Sequence, residues 1–122
     1  MQKREFTHQS QPLSYYIRGD NPGLLLLSGA HGDEYQVIDS VAAALGARTG
    51  RVPDFLYIPH VSPSSVAKGT RTNYRGCDIN RQFVKESDDT EAQTVMALLK
   101  GRAFDACISF HEDPQLSEFY MY

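Results

Sequence analysis

The run Leu24-Leu25-Leu26-Leu27 and the seven residues after it constrain the fold more than any other part of the chain. A strand that is apolar at every position has no solvent side. It therefore needs cover on both faces, which is the situation of a central strand in an α/β sheet. The run leads into Ser28-Gly29-Ala30-His31-Gly32-Asp33-Glu34. From Glu34 to Arg48, Tyr35, Val37, Ile38, Val41, Ala42 and Leu45 then recur at helical spacings, and Gly46 and Gly50 punctuate the end. The implied order is strand, glycine-bearing turn, helix.

The same arrangement recurs around this unit. Leu13 to Arg18 is expected as a short strand, with the turn-rich Gly19-Asp20-Asn21-Pro22-Gly23 forming a hairpin or tight connection to Leu24. Phe55 to Ile58 is the next strand, stopped by Pro59. Residues 60–89 are mostly polar and are expected as a long loop, a feature that is usually functional in a compact domain. Thr90 is positioned to cap a helix over Glu91 to Lys100, with Val95, Met96, Leu98 and Leu99 as its apolar side and Gly101 at its end. Asp105 to Phe110 is expected as a buried strand with Cys107 as a small buried residue, and Glu118 to Tyr122 as the start of another. Strands alternating with helices indicate an α/β fold, in which ligands gather at the carboxyl ends of strands.

Composition narrows the partners. With 122 residues, no repeat and no linker, the chain is expected to be one domain. Twelve Lys plus Arg against fifteen Asp plus Glu give a net charge of −3, which argues against nucleic acid as a partner. No apolar run approaches the roughly 20 residues that cross a bilayer. The first nine residues lack the apolar core of a signal peptide, so a cytoplasmic location and no membrane partner are expected. Cys77 and Cys107 form no C-x-x-C pair and are expected as free thiols.

Two segments stand directly after expected strands and each presents a histidine: His31 within the glycine-bearing turn, and Ser109-Phe110-His111-Glu112-Asp113. His31 and Glu34 lie three apart on a turn entering a helix, so their side chains can converge, and His111 could approach from a neighbouring strand end. Two imidazoles and one carboxylate leave a fourth zinc position open for water, the requirement of a catalytic site. Gly29 and Gly32 would let the backbone present both ligands. His8 and His60 have no such company. A third segment, Gly69 to Phe83, gathers three arginines and two asparagines in an otherwise acidic chain. Asn80-Arg81 could clamp a carboxylate through a neutral donor beside a planar fork, although without the other two segments this stretch would pass for a solvated polar loop.

Taken in order, His31-Gly32-Asp33-Glu34, Arg71 with Asp78-Ile79-Asn80-Arg81-Gln82-Phe83, and His111 resemble the motifs of the zinc carboxypeptidase superfamily. The resemblance points to its succinylglutamate desuccinylase/aspartoacylase branch or its murein-peptide amidase branch, and spans about residues 24–122. It implies a mixed, largely parallel sheet flanked by helices. It also implies a hydrolase of metallopeptidase, carboxypeptidase or amidohydrolase type that takes one zinc ion per chain and acts on a small N-acyl amino acid or peptide with a free carboxylate. His31, Glu34 and His111 match the metal ligands, Asn80 and Arg81 the carboxylate-holding pair, and Arg71 the arginine that polarises the scissile carbonyl, with Arg75 as its competitor. Asp78 resembles the carboxylate that orients a zinc histidine.

One participant is missing from the pattern. The general-base glutamate of the family follows well after the third ligand, beyond Tyr122. Glu112 points away from His111 by strand alternation, and Glu118 is no better placed. The expectation is thus the N-terminal part of a larger catalytic domain, completed by a C-terminal half or by another copy. A compact domain whose last strand closes the sheet stays open beside it. On the functional side, a catalytically silent zinc- and carboxylate-binding domain is the alternative to an enzyme.

Overall fold

A computed structural model describes residues 1–47, 52–113, 115, 116 and 121. The five described strands are β1 (Gln2–His8), β2 (Gln11–Arg18), β3 (Leu24–Leu27), β4 (Phe55–Ile58) and β5 (Ala106–Ser109), and they form one sheet in the order β1-β2-β4-β3-β5. β1 and β2 pair antiparallel, β2 and β4 antiparallel, and β4, β3 and β5 parallel. The helices are α1 (Tyr35–Ala47), α2 (Pro63–Lys68) and α3 (Thr90–Leu99), with a short 3-10 turn at Ile79–Arg81. The α/β architecture with a mixed sheet agrees with the expectation from sequence.

Alternation along the strands divides the core into two layers. Leu13, Tyr15, Ile17, Leu25, Leu56 and Ile58 pack with Ala92, Val95 and Leu98 of α3 on one face. Leu26, Phe55 and Tyr57 pack with Val41 of α1 on the other, joined by Val37 and Leu45. β4 is buried at all four positions, as befits a strand with a neighbour on each edge and a helix on each face. β3 has the central place that its four leucines demanded.

Several expectations need correction. Residues 19–23 make a tight connection but no hairpin, because β4 lies between β2 and β3. The hairpin is β1–β2, closed by Gln9 and Ser10 at φ 48 and 66, a conformation that two-residue hairpin turns favour but that Gln-Ser does not announce. β1 itself is polar and mostly exposed, as suits a sheet edge. The expected loop 60–89 contains α2 and the 3-10 turn. The cap of α3 is Asp89, not Thr90: its fully buried carboxylate accepts from the amides of Glu91 and Ala92. β5 forms where expected but is exposed at every position, Cys107 included, because among the described residues it pairs only with β3 and none of its residues joins either core layer. Of the strand expected at Glu118–Tyr122 only Met121 is described, outside any strand, and the Arg48 and Gly50 end of α1 lies outside the described residues.

Candidate metal centre

The order of the strands creates the site. β3 leads through α1 on one face to β4, and β4 leads back through α3 on the other face to β5, on the far side of β3. Adjacent parallel strands whose connections leave in opposite directions open a crevice at their carboxyl ends. His31 follows β3 and His111 follows β5, so the topology brings two histidines 80 positions apart to one crevice.

The turn after β3 is shaped by glycines. Gly29 adopts φ +64, and a Cβ there would meet the Pro59 carbonyl oxygen at 2.5 Å. A Cβ on Gly32 would lie 1.8 Å from the Ser65 carbonyl oxygen in α2. The Gly32 amide donates to the Thr70 carbonyl at 2.8 Å, while Ser28 Oγ donates to the Pro59 carbonyl at 2.9 Å. The turn is therefore wedged between the β4–α2 connection and the loop that carries Arg71.

His31 and Glu34 are buried, at 2% and 6% exposure, and the His111 side chain is about one-third exposed. The Glu34 carboxylate lies between the two imidazoles: Oε1 is 2.8 Å from His31 Nδ1 and Oε2 is 3.0 Å from His111 Nδ1. The ring centroids are 5.2 Å apart. One donor atom from each of the three side chains lies within 4.8 Å of the others. Tetrahedral zinc with N and O ligands at about 2.0–2.1 Å holds its donors about 3.3 Å apart. The three residues could hold a metal ion, and two imidazole nitrogens with one carboxylate leave a fourth tetrahedral position open.

Burial pushes the Glu34 carboxyl up, but hydrogen bonds and charge from His111 and His31 outweigh it and hold the group below the usual carboxylate range. The hydrogen bond to Glu34 raises His111 above the ordinary imidazole value, against an opposing effect of burial. Behind His31, Asp78 Oδ1 sits 3.0 Å from Nε2. Burial again opposes ionisation of Asp78, and contacts with His31 and the Asn80 amide more than offset it, leaving its carboxyl acidic. This is the kind of contact through which a carboxylate fixes a ligand's tautomer and ring orientation.

The loop residues separate clearly. The Arg71 guanidinium contacts Asp78 Oδ2 at 3.3 Å and is otherwise largely exposed, so it borders the cluster. Arg75 instead makes a forked pair with Asp88, at 2.5 and 3.0 Å. Asn80 and Arg81 lie on the 3-10 turn; Asn80 Nδ2 comes within 3.5 Å of His31 Nε2, and Arg81 is exposed. Asn73, buried against Asp89 and accepting from the amides of Arg75 and Cys77, pegs this loop to the start of α3. Glu112 Oε1 accepts from the Val37 amide at 2.6 Å, so its carboxylate is engaged at the start of α1. Glu118 lies outside the described residues. A surface hollow of about 400 Å³ beside Pro63, Ser64, Tyr74 and Thr90 is separate from the cluster.

Sequence reasoning missed Asn73 and the use made of Glu112. An asparagine before a glycine-containing turn is a common loop signal with no stated partner, and nothing in the sequence pairs Glu112 with a helix 75 residues earlier.

No family model and no curated protein matches the chain. Solved structures do match it. A Shewanella denitrificans OS217 protein assigned as a metallopeptidase is 28% identical with a TM-score of 0.68, covering 92% of this chain and 46% of that one. An aspartoacylase family protein from Mesorhizobium loti is 26% identical with a TM-score of 0.65, over 82% of this chain and 34% of its own. The murein-tripeptide amidase MpaA of Escherichia coli O157 shares the fold at 20% identity and a TM-score of 0.67, over 85% and 56%. The chain thus spans about half, or less, of the structures it resembles. No helix among the described residues is long and apolar enough to cross a membrane.

Proposed function

From the zinc carboxypeptidase-like fold that this chain shares, we propose that it carries the metal-binding and carboxylate-recognising part of a zinc-dependent amide hydrolase. The substrate class is a small N-acyl amino acid or peptide with a free carboxylate. The observation that carries this reading is the convergence of His31 and Glu34 with His111, which arrives from a separate strand.

His31, Glu34 and His111 would hold the ion, which when bound lowers the pKa of a coordinated water and polarises a carbonyl oxygen. Asp78 holds the His31 ring from behind through Nε2. Arg71, tethered to Asp78 and open to solvent, would steady negative charge on the substrate carbonyl oxygen. Asn80 and Arg81 supply an amide donor and a guanidinium fork for the substrate carboxylate. The pairing of Arg75 with Asp88 favours Arg71 over Arg75 for the oxyanion role.

Bound zinc per chain, measured after chelation and reloading, tests the metal reading: one ion is expected, and no affinity sinks it. Arg81→Ala should weaken binding of an N-acyl amino acid by about 2 kcal/mol or more in calorimetry, and an unchanged affinity removes the clamp. A second reading, a zinc- and carboxylate-binding domain without turnover, is favoured by the engagement of Glu112 at the start of α1, which leaves no evident base among the described residues beside the cluster. Zinc binding without hydrolysis of acyl amino acids or peptides selects it.

A further inference from the structure

Glu34 immediately precedes α1. At that position a short polar side chain would ordinarily turn back to accept from the amide two or three residues into the helix. Both Glu34 carboxylate oxygens are instead turned to His31 and His111. The third helical amide, that of Val37, still needs an acceptor. Glu112 supplies it from 75 residues away, at 2.6 Å, and sets a negative charge against the positive end of the helix dipole.

Glu112 is the residue after His111. Its neighbour's ring reaches Glu34 Oε2 at 3.0 Å while its own carboxylate grips the helix that Glu34 begins. Two consecutive side chains thus fasten one peptide to both the carboxylate ligand and the backbone next to it. The fastening has a reason in the fold, because β5 is exposed throughout and held in the sheet by β3 alone among the described strands. Near its end the Phe110 amide donates to the Leu27 carbonyl at 2.9 Å, and Ser109 Oγ lies 3.2 Å from His111 Nε2. Neither contact ties His111 to α1.

We propose that Glu112 is a positioning residue: by capping α1 at Val37 it holds the start of the helix next to Glu34 and fixes His111 relative to that ligand. This rests on the metal reading given above and adds a residue that touches neither ion nor substrate. It also gives Glu112 a purpose other than proton transfer.

The test uses the whole chain and zinc alone. Zinc affinity is measured by competition with a chromophoric chelator, and Val37 amide exchange is measured on the metal-free protein. Glu112→Ala should weaken zinc binding tenfold or more and speed exchange at Val37. Glu112→Gln retains a carbonyl oxygen that can accept from Val37 and should restore most of the affinity, which a general loss of packing would not predict. If the alanine variant does not fold, Glu112→Asp carries the test, since its shorter side chain withdraws the acceptor while keeping the charge, and it too should lose affinity. Wild-type binding matched by the alanine or aspartate variant overturns the positioning role alone. A wild-type chain that binds no zinc overturns the metal reading and the positioning role together, and protected exchange at Val37 would then leave only a helix cap.

Discussion

At the scale of single residues, the site depends on what Gly32 lacks. Its Cα faces the α2 backbone so closely that a methyl group would overlap the Ser65 carbonyl. Gly32→Ala must push the turn away from α2, and His31 and Glu34 move with it. The expected loss is about 2 kcal/mol or more in a thermal or urea melt, together with weaker zinc binding; a variant with wild-type stability would show that the turn has slack. That His31 and Glu34 would meet was legible in the sequence because a histidine, a glycine turn and a glutamate before a helical pattern are local signals. The partners that hold them were not, since the Val37 amide and Glu112, or Asn73 and Asp89, meet only after the sheet has formed.

At the scale of elements, the segment after β4 shows how a polar stretch becomes ordered without a large apolar face. Glu91, 2% exposed, accepts from Ser62 Oγ and the Ser64 amide at 2.7 Å each, which ties the start of α2 to α3. Asp89 caps α3 with one oxygen and receives Asn73 with the other. Replacing Asp89 with alanine strips two helix amides and a buried side-chain amide of their acceptor. A loss of about 2 kcal/mol or more is expected in urea unfolding, and a change within error would remove Asp89 as the anchor of the loop. Strands β2 to β5 and the helices α1 and α3 were visible from their apolar patterns and the polar edge strand β1 was not, whereas this segment has no period. Its order comes from acid side chains accepting backbone amides, which Pro63 and Gly69 mark only as boundaries. β5 shows the opposite failure: its apolar letters suggested burial, but a strand is buried only if something lies on it, and that is set by the rest of the sheet.

At the scale of the whole molecule, strand order decides the electrostatics of the site, because β5 lands beside β3 rather than beyond β4. Alternating helices and strands made the α/β class legible, but not which side of β3 the last described strand would take. In the metal-free chain the resulting His111–Glu34 pair gives a pH signature. Glu34 has its pKa depressed from 4.5 on folding, so its contribution is present above that value and lost as pH falls through the depressed one. His111 has its pKa raised from 6.5, so its contribution is present below 6.5 and lost as pH rises through the raised value. The stability difference between wild type and Glu34→Gln should therefore be largest between pH 4.5 and 6.5 and shrink on either side, in urea titrations without metal; a flat difference would dissociate the pair from folding. The distance along the chain between those two residues has one more effect. An ion gripped by positions 31, 34 and 111 would act as a reversible staple joining parts of the chain 80 positions apart, absent from the unfolded chain because only the finished sheet brings them together. Zinc held at a hundredfold excess over its dissociation constant would then add about 2.7 kcal/mol to stability, making the melting temperature of this protein a gauge of the free metal around it.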